Sequence, residues 1–184
     1  LVGKTHFGPP DCYPFEYPGR KNNPTNSAAT PSAQASEQIG SLDIGAIGDF
    51  IRRDPSAPFC LVAASNEPHS PWNRGDASRY DPLKLKLPPY FVDTPETRAA
   101  LASYYAEVTV LDEQVGRILQ LLAQSSQASN TFVLFISEQG SSFPHSKWTL
   151  YEPGIRGALL ARWPGRIAAG KTTEALCSYV DILP

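Results

Sequence analysis

Methionine is absent from the 184 residues, and histidine and cysteine occur only three times each. Cys12, Cys60 and Cys177 cannot form a complete disulfide set, and no C-x-x-C pair occurs, so neither a disulfide scaffold nor a paired-cysteine metal or redox motif is present. Cys60 sits in an apolar run and reads as a small buried hydrophobe. Neither sign of charge is in excess: 16 Lys+Arg face 18 Asp+Glu, a net charge of −2. That balance argues against an electrostatic nucleic-acid binder, which needs a positive face. No apolar run approaches the roughly 20 residues of a membrane-spanning helix, so no membrane partner is expected. A basic-then-apolar leader is also lacking. The chain opens on Leu1-Val2 as a strand already under way and closes on Ser178–Pro184 as a helix beginning. It reads as an interior slice of a longer protein, with any targeting signal outside it.

What is present is enough for a core. Apolar residues make up 41%, and a chain of this length buries roughly 70% of its unfolded surface, so one domain is expected. The 18 prolines and 13 glycines make it rich in turns without any collagen-like period. Four short apolar runs stand out: Leu1-Val2, Phe59–Ala64, Thr131–Ile136 and Ala158–Ala161. Their lack of alternation suits strands buried on both faces of a parallel sheet. The spacing predicts a long amphipathic helix after Thr94 as N-cap and Pro95 at the first helical position. Leu101, Tyr104, Tyr105, Val108, Leu111, Val115, Ile118, Leu119 and Leu122 form its apolar stripe. A weaker helix is predicted over 39–51. The order implies an incomplete α/β fold: a mostly parallel sheet flanked by helices. Segments 22–38 and 65–93 read as loops, the second long enough to be functional.

The scarce titratable groups gather just beyond the apolar runs. His6 follows the first, His69 the second, and His145 the third, where Glu138 and Gln139 also lie. Ligands of open α/β sheets bind beyond the carboxyl ends of strands, so this placement marks a site. Lys4 and His6 alternate and share one face of an extended segment, where they suit anion binding and proton transfer. Two prolines flank His69 and stiffen its loop. Glu138 and Gln139 offer hard oxygen donors suited to Ca²⁺ or Mg²⁺. Lys147 can meet a substrate anion, and His145 can line the pocket or its rim. Taken singly, each has an ordinary reading as a solvated or packed side chain.

Taken together and in order, Gly3-Lys-Thr-His6, Glu67-Pro-His-Ser-Pro71, Ser137-Glu-Gln-Gly140, Lys147–Arg156, Trp163-Pro-Gly165 and Val180–Pro184 resemble the sulfatases of the alkaline-phosphatase-like superfamily. Residues 6–17, Tyr80–Leu83 and Pro89–Pro95 resemble the sulfamidase-like (heparan N-sulfatase-like) branch. The resemblance covers nearly the whole chain. It implies a sulfuric ester or sulfamate hydrolase whose formylglycine nucleophile attacks sulfur beside a divalent cation, usually Ca²⁺. By that resemblance Lys4, His6, His69 and Lys147 are catalytic, Glu138 and Gln139 are metal ligands, and Lys4, His69, Lys147 and His145 contact substrate. The implied substrate is a sulfated sugar derived from a glycosaminoglycan. The implied location is periplasmic, secreted or lysosomal, and a homodimer is an allowed assembly.

Two departures stand out. The nucleophile motif C-x-[PA]-x-R is missing: Cys12-Tyr-Pro-Phe-Glu16 has Glu in place of Arg and falls after the Lys-x-His motif, whereas the family's nucleophile comes before it. The nucleophile strand and a C-terminal subdomain are therefore expected outside residues 1–184, which alone should be inert. The metal pair is Glu-Gln where the family has Asp followed by Asn or His, each side chain one methylene longer. Two other readings follow: a phosphate or phosphonate monoester hydrolase on the same scaffold, and a non-catalytic relative that binds sulfated glycans.

Overall fold

The computed structural model describes residues 1–5, 12, 15–18 and 37–182. His6 and most of loop 22–38 lie outside the described residues. In chain order the elements are β1 (Val2–Gly3), β2 (Gln38–Ile39), β3 (Leu42–Asp43), α1 (Ile44–Arg52), β4 (Ala63–Ala64), α2 (Pro95–Ala123), β5 (Val133–Ile136), α3 (Glu152–Ile155) and β6 (Leu159–Arg162).

The arrangement is α/β, with its strands in three pairs. β1 runs parallel to β4, placing Val2 opposite Ala63 and Gly3 opposite Ala64. β2 and β3 form a tight antiparallel hairpin. β5 and β6 are antiparallel, from Val133 opposite Arg162 to Ile136 opposite Leu159. Parallel neighbours need a long crossover, usually a helix. Between β5 and β6 the only helix is the four-residue α3, so the chain turns back and pairs antiparallel.

Local sequence explains the helices. Thr94 caps α2 by accepting from Thr97 N at 3.2 Å, Pro95 occupies the first turn, and Glu96 faces the positive end of the helix dipole. α1 is shorter than its apolar spacing predicts. Ile39 and Leu42 belong to the hairpin, and Asp43 starts the helix by accepting from Ala46 N at 2.9 Å. Only the last two residues of the 59–64 run pair as strand. The chain's last described turn is a 3₁₀ helix, Tyr179–Asp181.

A small core forms where Val2, Leu42, Ile44, Ile47, Ile51 and Leu121 meet, with Phe59, Leu61 and Ile118 packed against it. The apolar surface of α2 is wide and splits in two. Leu101, Ala102, Ala106 and Val110 are buried. Leu111, Val115, Ile118 and Leu119 instead floor open clefts between the 59–64 segment and β5. Two such clefts, of about 560 and 680 Å³, share Ala63, Val115, Ile118, Leu134 and Phe135, and so form one trench. β6 is exposed along its length, with Leu160 at 60%. Cys60 also corrects its sequence expectation: it is exposed, because it lines this trench instead of a closed core.

Candidate active site

The elements that end at the trench deliver polar groups to its mouth. Lys4 follows β1 and is tied to the neighbouring strand by its N–H, which donates to Ala64 O at 2.7 Å. His69 follows β4 on a turn closed by its own N–H donating to Asn66 O at 2.8 Å. Glu138 and Gln139 follow β5. There Ser137 is held by its N–H donating to Ala158 O at 2.9 Å, and its hydroxyl accepts from Ala158 N at 2.9 Å. Lys147 comes from the loop leading to α3. Lys4, His69, Glu138, Gln139 and Lys147 all line the cleft of about 560 Å³. His6 lies outside the described residues. His145 is not part of that lining. Its ring stands edge-on to Tyr90 at 5.7 Å and to Tyr151 at 4.9 Å, on the outer side of the Lys147 loop.

The imidazole of His69 has a defined proton arrangement. Its Nδ1 lies 2.6 Å from Ser70 O, and a carbonyl oxygen only accepts, so Nδ1 carries the hydrogen. Nε2 is left without a protein partner among the described residues, ready to take or give a proton. The Lys147 loop is held tightly. Lys147 N donates to Ser141 O at 2.9 Å, and the buried Ser146 hydroxyl donates to Pro153 O at 3.0 Å. His145 and Trp148, on either side, both have positive φ, 60° and 69°. Such conformations cost about 1–3 kcal/mol each in non-glycine residues, and their grouping here shows how firmly this backbone is constrained. The Lys147 ammonium sits 5.2 Å from the Trp148 ring centroid. No carboxylate pairs with it, or with Lys4, among the described residues.

Gly140 closes the turn after the acidic pair. A Cβ at this position would overlap the Pro153 carbonyl and the Ser146 hydroxyl. Gly140→Ala is therefore expected to destabilise the protein by roughly 1–3 kcal/mol, read as a lowered urea midpoint at unchanged m-value.

Glu138 and Gln139 suit a hard divalent cation by donor type. They would fill two of the roughly six to eight oxygen positions such an ion takes. Among the described residues no group of three or more histidine, cysteine, aspartate or glutamate side chains is gathered closely enough to hold a metal ion, so Glu138 and Gln139 are at most part of a shell.

Sequence reasoning missed the network beneath His69. Glu67 is buried, as are Glu107 and Gln114 two turns apart on α2. The signal was available: two polar side chains seven residues apart on a buried helix face are uncommon unless they hold something. Trp72, Arg74 and Arg79, on the 65–93 loop, are used in packing and ion pairs. Trp72 stacks on Phe143 at 4.8 Å and donates to Pro68 O. Arg74 pairs with Glu67 at 3.3 Å, and Arg79 with Glu113 at 3.8 Å.

A strand-end cleft with two unpaired ammoniums, a histidine and hard oxygen donors is the kind of site that handles a tetrahedral oxyanion. Comparison with known proteins agrees. The sulfatase family model matches residues 5–184, and the chain belongs to the sulfatase family. It is 28% identical to human N-sulphoglucosamine sulphohydrolase, over all of this chain and 40% of that protein. It is 36% identical to rat N-acetylgalactosamine-6-sulfatase over 73% of this chain and 25% of that protein. It is 29% identical to an ulvan-active sulfatase of Formosa agariphila over 55% of this chain and 17% of that protein. The chain thus spans at most about two fifths of these relatives.

Proposed function

We propose that the protein to which this chain belongs is a metal-dependent hydrolase of sulfuric esters or sulfamates on sulfated carbohydrate. The observation that carries this reading is the convergence of Lys4, His69, Glu138, Gln139 and Lys147 on one cleft. Lys4 and Lys147 bind sulfate oxygens and neutralise the charge that develops on them, work that preorganised cations do best. His69, with Nδ1–H fixed on Ser70 O, presents Nε2 to the leaving atom; as the imidazolium, with a second proton taken up at Nε2, it gives that proton to the leaving group and returns to the neutral Nδ1–H form. Glu138 and Gln139 would hold part of the shell of a divalent cation, Ca²⁺ before Mg²⁺ for these longer side chains, which when bound would supply Lewis-acid stabilisation of the sulfate charge. His6 stands beside Lys4 in sequence and shares the proton traffic. His145 acts from outside the cleft by fixing the Lys147 loop.

The nucleophile, a formylglycine, comes from outside residues 1–184. We assign it to a strand that fills the trench between residues 59–64 and β5, where α2 already offers an apolar floor. A C-terminal subdomain completes the domain. The substrate class places the protein where sulfated glycans are turned over, in a periplasm, outside the cell or in a lysosome. The test is hydrolysis of a chromogenic aryl sulfate and of N- and O-sulfated glucosamine by the complete polypeptide. Release of sulfate supports the reading. Hydrolysis of phosphate esters alone, or glycan binding without turnover, replaces it. Calcium gives a separate check. At a hundredfold excess over Kd it should stabilise metal-stripped protein by about 2.7 kcal/mol, and Glu138→Ala should remove that shift in a thermal melt.

A further inference from the structure

We propose that Glu67 is a positioning residue: a buried carboxylate that locks the turn presenting His69 onto α2 and the β2–β3 hairpin. The inference rests on the sulfatase reading for what His69 does, but the lock itself is visible in the contacts. Glu67 Oε2 accepts from Ser41 Oγ at 2.6 Å, Ser65 Oγ at 2.8 Å and Gln114 Nε2 at 2.7 Å. Its Oε1 faces Arg74 Nε at 3.3 Å, while Arg74 also donates to Gly40 O at 3.0 Å. The side chain is 2% exposed. Three protein donors fill Oε2 and the Arg74 guanidinium is ion-paired with Oε1, so although Glu67 borders the cleft its carboxylate is engaged within the protein. Gln114 Oε1 is the one buried polar atom of the network without a hydrogen-bond partner among the described residues, and a buried network satisfied at its carboxylate rigidifies what it joins.

What it joins is the base of the His69 turn. Ser65 Oγ also accepts from Glu67 N at 2.9 Å, and Ser41 Oγ accepts from Asn66 N at 3.0 Å. The residue that closes the His69 turn, Asn66, is therefore held by the same hydroxyl that binds the carboxylate. Downstream, Glu107 on α2 accepts from Arg74 N at 3.0 Å and Gly75 N at 3.3 Å. The loop is thus clamped on both sides of His69 by carboxylates. Gln114 bridges Glu67 and Ile39 O, which fixes its amide orientation because both partners are acceptors. The hairpin turn is shaped to fit. Gly40 has φ +57°, and a Cβ there would come within 2.7 Å of Gln114 Nε2 and 2.9 Å of the Glu67 carboxyl carbon.

Burial pushes the Glu67 carboxyl pKa upward, but hydrogen bonds from Ser41, Gln114 and Ser65 outweigh it and hold the group below the ordinary glutamate range. It therefore stays a carboxylate, which is the form that accepts all these donors. In Glu67→Gln one amide NH₂ must face either the hydroxyls and Gln114 or Arg74, and donors oppose donors on that side.

The experiment is Glu67→Gln in the complete polypeptide, with kinetics on an aryl sulfate and ¹⁵N NMR of the histidines. Misplacing a proton donor lowers kcat by about tenfold to a hundredfold, with KM within about twofold because the lysines still bind the anion. His69 should change from the Nδ1–H form to a tautomer mixture. A purely structural role would lower the unfolding temperature yet leave kcat per folded molecule and the tautomer as they were. An unchanged kcat in an active enzyme, or an unchanged tautomer, overturns the proposal. If the wild-type protein hydrolyses no sulfate, the functional reading fails while the tautomer still decides the role of Glu67. Should Glu67→Gln not fold, Ser41→Ala removes one of the three hydrogen bonds and carries the same two measurements.

Discussion

Replacing Lys147 by alanine in the complete protein is expected to lower kcat/KM for an aryl sulfate by about 100- to 1000-fold. Three features make this site so sensitive. Its backbone is fixed by Lys147 N on Ser141 O and by the Ser146 hydroxyl on Pro153 O, so the ammonium reaches the cleft from a rigid base. No carboxylate among the described residues competes for its charge. The half-buried position weakens solvent screening, so each unit of charge developing on sulfate is met at a lower effective dielectric. Removing the ammonium takes away a preorganised donor without leaving a buried unpaired partner. Stability should therefore move little, within about 0.5 kcal/mol. Lys147→Arg keeps the charge but replaces a compact donor by a wide planar one, and should recover only part of the rate. A loss under about threefold in Lys147→Ala would show that the ammonium does not meet the anion, and the cleft would need another occupant.

The strand runs, the long helix and its Thr94-Pro95 start were legible in the sequence because they are set by local patterning and capping. So were the residues now grouped at the cleft, since polar groups just beyond apolar runs fall at strand ends. Strand direction was less legible. The parallel partnership expected for Ala158–Ala161 depended on a crossover that the 137–158 segment does not supply, and β6 pairs antiparallel instead. Burial was misread at Cys60 and along the Leu111–Leu119 stripe, because apolar patterning reports which face seeks cover and not whether cover is present. His145 shows a different limit. Its place just past β5 left the pocket lining and its rim both open; at positive φ its ring lies against Tyr90 and Tyr151, and it is not part of the cleft lining. The Glu67 network escaped notice because Ser41, Glu67 and Gln114 are far apart in the chain and meet only through the fold.

Cys60 turns the open trench into a measurable quantity. In residues 1–184 alone its thiol is exposed, as are those of Cys12 and Cys177, so all three should react with a thiol reagent at comparable rates. The trench beside it carries the unpaired edge of the 59–64 segment and the free edge of β5, over a floor of Val115, Ile118 and Leu119. Backbone groups left unpaired on an apolar floor are costly, and one extended segment entering between the two edges satisfies both while covering the floor. If the nucleophile strand of the complete protein lies there, Cys60 becomes a core residue and reacts only when that strand opens. A local opening of about 3 kcal/mol slows its labelling roughly 100-fold relative to Cys177. Mass-resolved labelling of the complete polypeptide, with Cys177 as internal standard, reads this directly. Equal rates at the two cysteines would mean that the trench stays open in the whole enzyme. The nucleophile would then have to reach Lys4, His69 and Lys147 from some other direction.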